Sequence, residues 1–167
     1  MSHIITISDL NGRFSIPRNN YTEDKLSEQI DFFEKKYLIE LLGSDLYDAF
    51  ISDLSSGIPQ TQIYLDIFNS FSIDEDRGIL SSHGIKSMLL HFIYFEIISD
   101  FSAKLTLSGV QKNNSDNSSN ITDVQSGKWR HYNYGVESYR AIQKYICDNP
   151  DDYPEFNGVG KLWFSFI

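Results

Sequence analysis

The sequence contains little cysteine and little positive charge. Its one cysteine, Cys147, cannot form a disulfide within the chain, so nothing indicates an oxidising compartment. The 14 Lys and Arg residues are spread thinly and are outnumbered by 23 Asp and Glu, which gives a formal net charge of −9. A protein that grips nucleic acid needs a concentrated basic surface to neutralise phosphates. The composition therefore argues against that class of binding protein.

Signals for targeting and membrane insertion are missing as well. Residues 1–10 lack a basic stretch followed by an apolar one, so we expect no secretion signal. The most apolar helical stretch is interrupted by charged or titratable residues, which are Lys86, His91, Glu96 and Asp100. An ordinary transmembrane helix does not tolerate this many. We predict a protein that is made in a cytoplasm, functions there or in a particle assembled there, and contacts no membrane.

Two groups of carboxylates resemble cation sites, and both depart from the required pattern. Residues 74–76 are Asp-Glu-Asp, but Ile79 stands where a calcium loop needs glycine, and no bidentate Glu follows at the proper distance. Glu96 and Asp100 have the i, i+4 spacing of a carboxylate metal site on a helix, without the second carboxylate–histidine pair. We interpret the first group as a solvated turn and the second as the polar edge of a core helix.

The histidines and the cysteine form no recognisable catalytic or metal-binding pattern. His83, His91 and His131 follow no zinc spacing, and Cys147 alone supplies no thiolate cluster. Because His91 stands among apolar residues, we interpret it as a buried, hydrogen-bonded histidine. The sequence also contains no nucleophile elbow, phosphate loop or dinucleotide fingerprint. We predict a protein that is not an enzyme and that uses no cofactor and no metal.

Aromatic residues are abundant: 12 Phe, 10 Tyr and 2 Trp occur among 167 residues. A chain of this length forms one domain with a real core, and aromatic side chains dominate both cores and interfaces. Helical spacing of apolar residues predicts an all-α fold, a small bundle of about five helices. The predicted parts are an extended N-terminal arm at 1–19, four helices within 20–102, a long polar loop at 103–127, the fifth helix at 128–149 and an extended tail at 150–167.

Local signals place the helix boundaries within this plan. The first helix begins near residues 20–22 and ends at Gly43, and Ser44 caps a short second helix. The third helix covers about 60–71, and the fourth, about 82–102, is apolar on most faces and should be the core element. Three of its residues, Phe92, Ile93 and Phe95, are predicted to pack between the first and fifth helices against Phe33, Tyr37, Tyr139 and Ile142.

The predicted loop at 103–127 is unusually long for a compact domain. Ordering it costs about 1–2 kcal/mol per residue and buries little apolar surface in return. Such a segment is either disordered or ordered by something outside the subunit. We expect it to reach a neighbouring subunit through its few apolar or β-branched residues, which are Thr106, Leu107, Val110, Ile121 and Val124.

The end of the sequence is strongly apolar, with five such residues within the last six, namely Leu162, Trp163, Phe164, Phe166 and Ile167. An exposed cluster of this kind would promote aggregation, so it must be covered. One interpretation is that the tail folds back onto its own bundle. The other is that it docks on another chain with Trp163 as a buried anchor, or adds as a strand to a partner's sheet edge.

Several stretches resemble proteins of tailed bacteriophages. Residues 37–50, two helices joined at Leu42-Gly43, resemble the opening of head-to-tail connector proteins. The order of residues 84–95, 106–110 and 132–136 is similar to connectors of phages that infect Bacteroidetes, including the crAss-like group. The resemblance covers residues 22–150 in the order of their elements.

The resemblance implies a structural protein of the virion. Such connectors form a ring in the neck, commonly of twelve copies, that joins the portal protein to other neck or tail proteins. The ring encloses the channel through which genomic DNA passes without sequence-specific binding, and an acidic protein suits such a surface. The alternative, from a different class, is a small helical adaptor or regulator that binds a phage or host protein as a monomer or dimer.

Overall fold

The computed structural model describes residues 3–16, 22–76, 78–103 and 119–156. Within these residues the chain forms five α-helices and two short antiparallel hairpins, preceded by two 3₁₀ turns. The helices are α1 (Glu23–Leu42), α2 (Ser44–Asp53), α3 (Gln62–Phe68), α4 (Ile85–Ala103) and α5 (Ser119–Asp148). The strands are β1 (Leu54–Ser55), β2 (Ile58–Pro59), β3 (Phe71–Glu75) and β4 (Gly78–Ser82). The fold is predominantly helical, as predicted, but it is not strictly all-α.

Strands β3 and β4 form a hairpin where the sequence predicted the end of the third helix, followed by a solvated acidic turn at 74–76. Helix α3 ends at Phe68, and Phe71 opens β3, where its ring lies 5.0 Å from that of Tyr145 on α5. Asp74 pairs with Ile79 in the antiparallel register, so the acidic residues lie at the hairpin tip. The prediction of one helix over 60–71 was wrong because five-residue strands give too short a pattern to separate from helical spacing.

Helix α4 is the centre of the core, as its sequence predicted. It runs antiparallel to both α1 and α5. Phe92 and Ile93 are fully buried, and the Phe92 ring stacks on Tyr37 at 4.4 Å between centroids and meets Tyr139 edge-on at 6.5 Å. The predicted packing of Phe92 between α1 and α5 is therefore confirmed, and Ile93 is buried as expected. Phe95 is only half-buried, against Trp129 and its neighbour Tyr132 on α5.

The N-terminal segment is part of the core, and the prediction of an extended arm was wrong for its described residues. Residues 3–16 form two 3₁₀ turns, and five of their side chains are buried, those of Ile4, Ile5, Leu10, Phe14 and Ile16. The carboxylate of Glu34 on α1 accepts hydrogen bonds from the backbone N–H groups of Ile4 (3.2 Å) and Ile5 (2.8 Å). This carboxylate fixes the segment to the bundle.

Both ends of α1 have the predicted capping residues, whereas the cap predicted for α2 is not formed. The Thr22 hydroxyl accepts from the N–H of Lys25 at 3.4 Å, and Gly43 adopts a φ of +76°, which favours glycine. Gly43 is also the residue that precedes the first turn of α2. Ser44 does not cap this helix, because its hydroxyl donates to the neighbouring Asp45 carboxylate instead.

Helix α5 begins earlier than its sequence suggested. Its backbone is helical from Ser119, so residues 119–127 belong to α5 and not to a loop. The apolar pattern of residues 119–127 is too weak to predict this part of the helix.

The residues that follow α5 pack on the bundle and do not extend away from it. Tyr153 is buried, and its hydroxyl donates to the carbonyl oxygen of Ile63 at 2.6 Å. The first residues of the predicted tail thus pack on α3.

Two glycines of α5 give a matched test of how this helix packs against Phe92 on α4. A Cβ on Gly135 would lie 2.8 Å from Cε1 of buried Phe92, whereas a Cβ on Gly127 would meet nothing within 4 Å. Alanine normally stabilises a helix over glycine by about 1 kcal/mol. We expect Gly127→Ala to raise the free energy of unfolding and Gly135→Ala to lower it by about 1–3 kcal/mol, because Phe92 has no space to move. Urea denaturation measures both, and equal stabilisation by the two changes would contradict the packing of α5 on Phe92.

Candidate functional site

Most of the residues predicted to form interfaces lie outside the described part of the chain. This is true of the tail residues Leu162, Trp163, Phe164, Phe166 and Ile167, and of Thr106, Leu107 and Val110. The backbone of Ile121 and Val124 lies within α5, so these two are helical residues and not loop residues.

The described surface exposes large apolar side chains on several elements. On α1, Phe32 is 65% exposed and Ile39 lies seven residues further along, about two turns away on the same face. On α5, Trp129 is 52% exposed at the edge of a cluster with Phe95 and Tyr132. Each of the two hairpins also presents an exposed isoleucine, Ile58 and Ile79. Single exposed apolar residues are ordinary, but a pair on one helix face marks a surface that another molecule can cover.

The two carboxylates of α4 join this helix to α1. The Glu96 carboxylate accepts from the Tyr37 hydroxyl at 2.6 Å and from the Lys36 ammonium at 3.2 Å. The Asp100 carboxylate accepts from the Gln29 amide at 3.0 Å. Burial, and then the bond to Glu96, raise the pKa of Tyr37, so its hydroxyl keeps its proton. Among the described residues, no group of three or more His, Cys, Asp and Glu side chains is placed to hold a metal.

His91 is buried and hydrogen-bonded, as its sequence context predicted. Only 3% of the residue is exposed, and its Nδ1 lies 3.0 Å from Nδ1 of His131 on α5. One imidazole donates and the other accepts, so the two rings hold complementary tautomers. Burial, and then the positive charges of neighbouring groups, lower the pKa of His91 to about 3. The ring is therefore neutral at neutral pH.

A cleft of about 320 Å³ opens beside this histidine pair. Its lining comes from three parts of the chain: the N-terminal segment gives Arg13, the stretch from just before α4 into this helix gives His83, Ser87 and His91, and α5 gives Tyr134. The Phe14 ring fixes the wall between them, because its edge meets His91 at 5.0 Å and His131 at 5.2 Å between centroids. No spacing in the sequence connects these residues, so no sequence pattern indicates the cleft.

Arg13 gives the cleft a permanent positive charge although the protein is acidic overall. After burial and His131, its guanidinium is among the groups that lower the pKa of His91. Asp9, on the first 3₁₀ turn, is engaged by the Lys86 ammonium at 2.9 Å. The cleft can therefore offer a guanidinium, imidazole N–H groups and a hydroxyl to an anion.

Within the described residues, the protein is a predominantly helical domain with a small cleft beside a histidine pair and with exposed large apolar side chains on α1, on α5 and on both hairpins. A protein-family model matches residues 38–162, and it describes a family of unknown function, DUF6712. The chain belongs to this family, because the match extends over well more than half of its length. No curated protein and no solved structure matches the chain. Among the described residues, no helix combines the length and apolar character needed to cross a membrane.

Proposed function

We propose that this protein is a structural subunit of the bacteriophage neck, where copies form a ring that joins the portal to the tail and encloses the DNA channel. The resemblance of residues 22–150 to head-to-tail connectors suggests this role. The observation that supports it is the exposure of large apolar side chains on two different helices, Phe32 and Ile39 on α1 and Trp129 on α5. A closed ring needs a heterologous contact, in which two different surfaces of each subunit meet.

The role of such a subunit is mechanical and electrostatic, with no catalytic step. A net charge of −9 lets DNA pass without adhering, because acidic side chains repel the phosphate backbone. In this proposal the apolar tail residues 162–167 dock on the portal or on the next subunit of the ring, with Trp163 as the anchor. The virion neck is then the place of action, after synthesis in the cytoplasm of the host bacterium.

Native mass spectrometry of the protein with and without its portal tests the ring directly. We expect a multimer on the portal, and Phe32→Ser should prevent it without lowering the melting temperature, because Phe32 is 65% exposed. The matched control is Ile58→Ser, which removes a similarly exposed apolar side chain from a hairpin outside the proposed surfaces. A protein that stays monomeric on addition of portal would contradict the ring and would favour the helical adaptor.

Deletion of residues 159–167 tests the role of the tail. If the tail docks on another chain, the shortened protein keeps its melting temperature and no longer joins the portal or the ring. If the tail belongs to the core of its own subunit, the shortened protein unfolds or precipitates as an isolated chain. Circular dichroism and native mass spectrometry on the same sample distinguish these results.

A further inference from the structure

We infer that the cleft lined by Arg13, His83, Ser87, His91 and Tyr134 binds the phosphate group of a small molecule. This inference is independent of the proposed ring, because the cleft is formed within one subunit. Its volume of about 320 Å³ lies at the lower end of the range of small-ligand pockets, which is about 300–1,000 Å³.

His91 provides the buried polar group that such a site requires. Its Nδ1 is engaged by His131, and no hydrogen bond joins its Nε2 to any residue that the structure describes. Because the residue lines the cleft and is only 3% exposed, Nε2 is the polar atom that it offers to a ligand. When His131 donates to Nδ1, the proton of His91 is on Nε2, and the neutral ring donates to an anion.

The other lining groups favour an anion with several oxygens. The Arg13 guanidinium makes no ion pair with any described carboxylate; it lies over the Phe14 ring at 4.9 Å, which leaves its N–H groups available. The Ser87 hydroxyl is a further donor at the cleft. Donors from three side chains, those of Arg13, Ser87 and His91, suit the three terminal oxygens of a phosphomonoester better than the two of a carboxylate.

The size and position of the cleft favour a small ligand over a nucleic acid. A duplex needs an extended basic surface, and this acidic chain repels it outside the cleft. The Tyr134 ring, 43% exposed at the wall, provides an apolar face beside the phosphate position. A phosphorylated molecule with a planar ring, such as a mononucleotide, would use both features.

Calorimetric titration of the full chain with inorganic phosphate, and separately with a nucleoside monophosphate, tests the site at constant ionic strength in chloride. We expect saturable binding of one anion per chain. Arg13→Gln should weaken it about tenfold or more, and Ser87→Ala should weaken it by a smaller factor. Arg13 is exposed and Ser87 lies at the start of α4, so both variants should fold.

The matched control is Lys25→Gln, which removes the same charge far from the cleft. Lys25 lies in the first turn of α1, about one turn before Gln29, which binds Asp100. Asp100 is about 14 Å along α4 from His91, the lining residue of the cleft nearest to it on that helix. Phosphate binding by this variant should equal that of the wild type. Absent binding, or equal weakening by Arg13→Gln and Lys25→Gln, would overturn the site. Displacement of phosphate by duplex DNA but not by the mononucleotide would overturn the assignment to a small molecule.

Discussion

Replacing Phe92 with alanine is expected to lower the free energy of unfolding by about 3–5 kcal/mol, a large share of the stability of a domain this size. Phe92 is fully buried at the centre of α4, stacked on Tyr37 and in contact with the rings of Tyr132 and Tyr139. Truncation removes the ring from contact with both flanking helices. It also leaves a cavity that these packed aromatic residues cannot fill. Urea denaturation followed by circular dichroism measures the change.

Two other phenylalanines serve as controls for this prediction. Phe95→Ala should cost less than Phe92→Ala, because Phe95 is only half-buried beside Trp129. Phe32→Ala should change the free energy of unfolding by no more than about 0.5 kcal/mol, because Phe32 is 65% exposed. The same loss at Phe92 and Phe32 would show that α4 is not the centre of the core.

The helical core could be predicted because its signals are local. Each of these signals depends only on neighbours within one or two helical turns. They are the apolar stripe along one face of α1, the apolar faces of α4, and the capping residues Thr22 and Gly43. Burial of Phe92 and Ile93 followed from the number of apolar faces on α4. Phe95 was predicted to be equally buried. It is only half-buried, because its neighbour on α5, Trp129, is itself 52% exposed, and no local pattern in α4 indicates the exposure of its partner.

The other elements depend on contacts between distant parts of the chain. The N-terminal segment resembled an extended arm because Ile5 and Ile7 alternate with polar residues and Pro17 blocks an early helix. Its burial depends on Glu34, about thirty positions away. The hairpin of β3 and β4 is held by α5, through Phe71 against Tyr145 and through the His83 N–H bond to Ser138. Tertiary contacts of this kind override weak local preference.

The candidate site depends even more on contacts between residues that are far apart in the sequence. The cleft unites Arg13, three residues between positions 83 and 91, and Tyr134. The hydrogen bond beside it joins His91 to a histidine forty positions later. The sequence spacing matched no zinc pattern and contained no information about this convergence. One sequence signal does agree with the structure of the site. His91 stands within an apolar helix, which predicted a buried and hydrogen-bonded histidine.

Replacing Glu34 with alanine is the second change with a large expected effect, a loss of about 2–5 kcal/mol in the free energy of unfolding. The carboxylate is 5% exposed, and both of its oxygens accept from backbone N–H groups, those of Ile4 and Ile5. Alanine would leave two buried N–H groups without a partner, and each costs about 1–3 kcal/mol. Residues 3–16 should then detach, and hydrogen exchange at Ile4 and Ile5 should become fast.

Comparison with Glu34→Gln and Glu28→Ala separates the hydrogen bonds from the loss of a charge. Burial raises the pKa of Glu34, and the two N–H donors are the main groups that oppose this shift, so they offset most directly the cost of burying the carboxylate. Glutamine keeps one acceptor oxygen but turns an NH₂ group toward the other N–H, so it should lose about half as much as alanine. Glu28 is exposed on the same helix, and its removal should change stability by no more than about 0.5 kcal/mol. If Glu34→Gln were as stable as the wild type, the carboxylate would not be what ties the N-terminal segment, and with it Arg13 and the wall of the cleft, to the bundle.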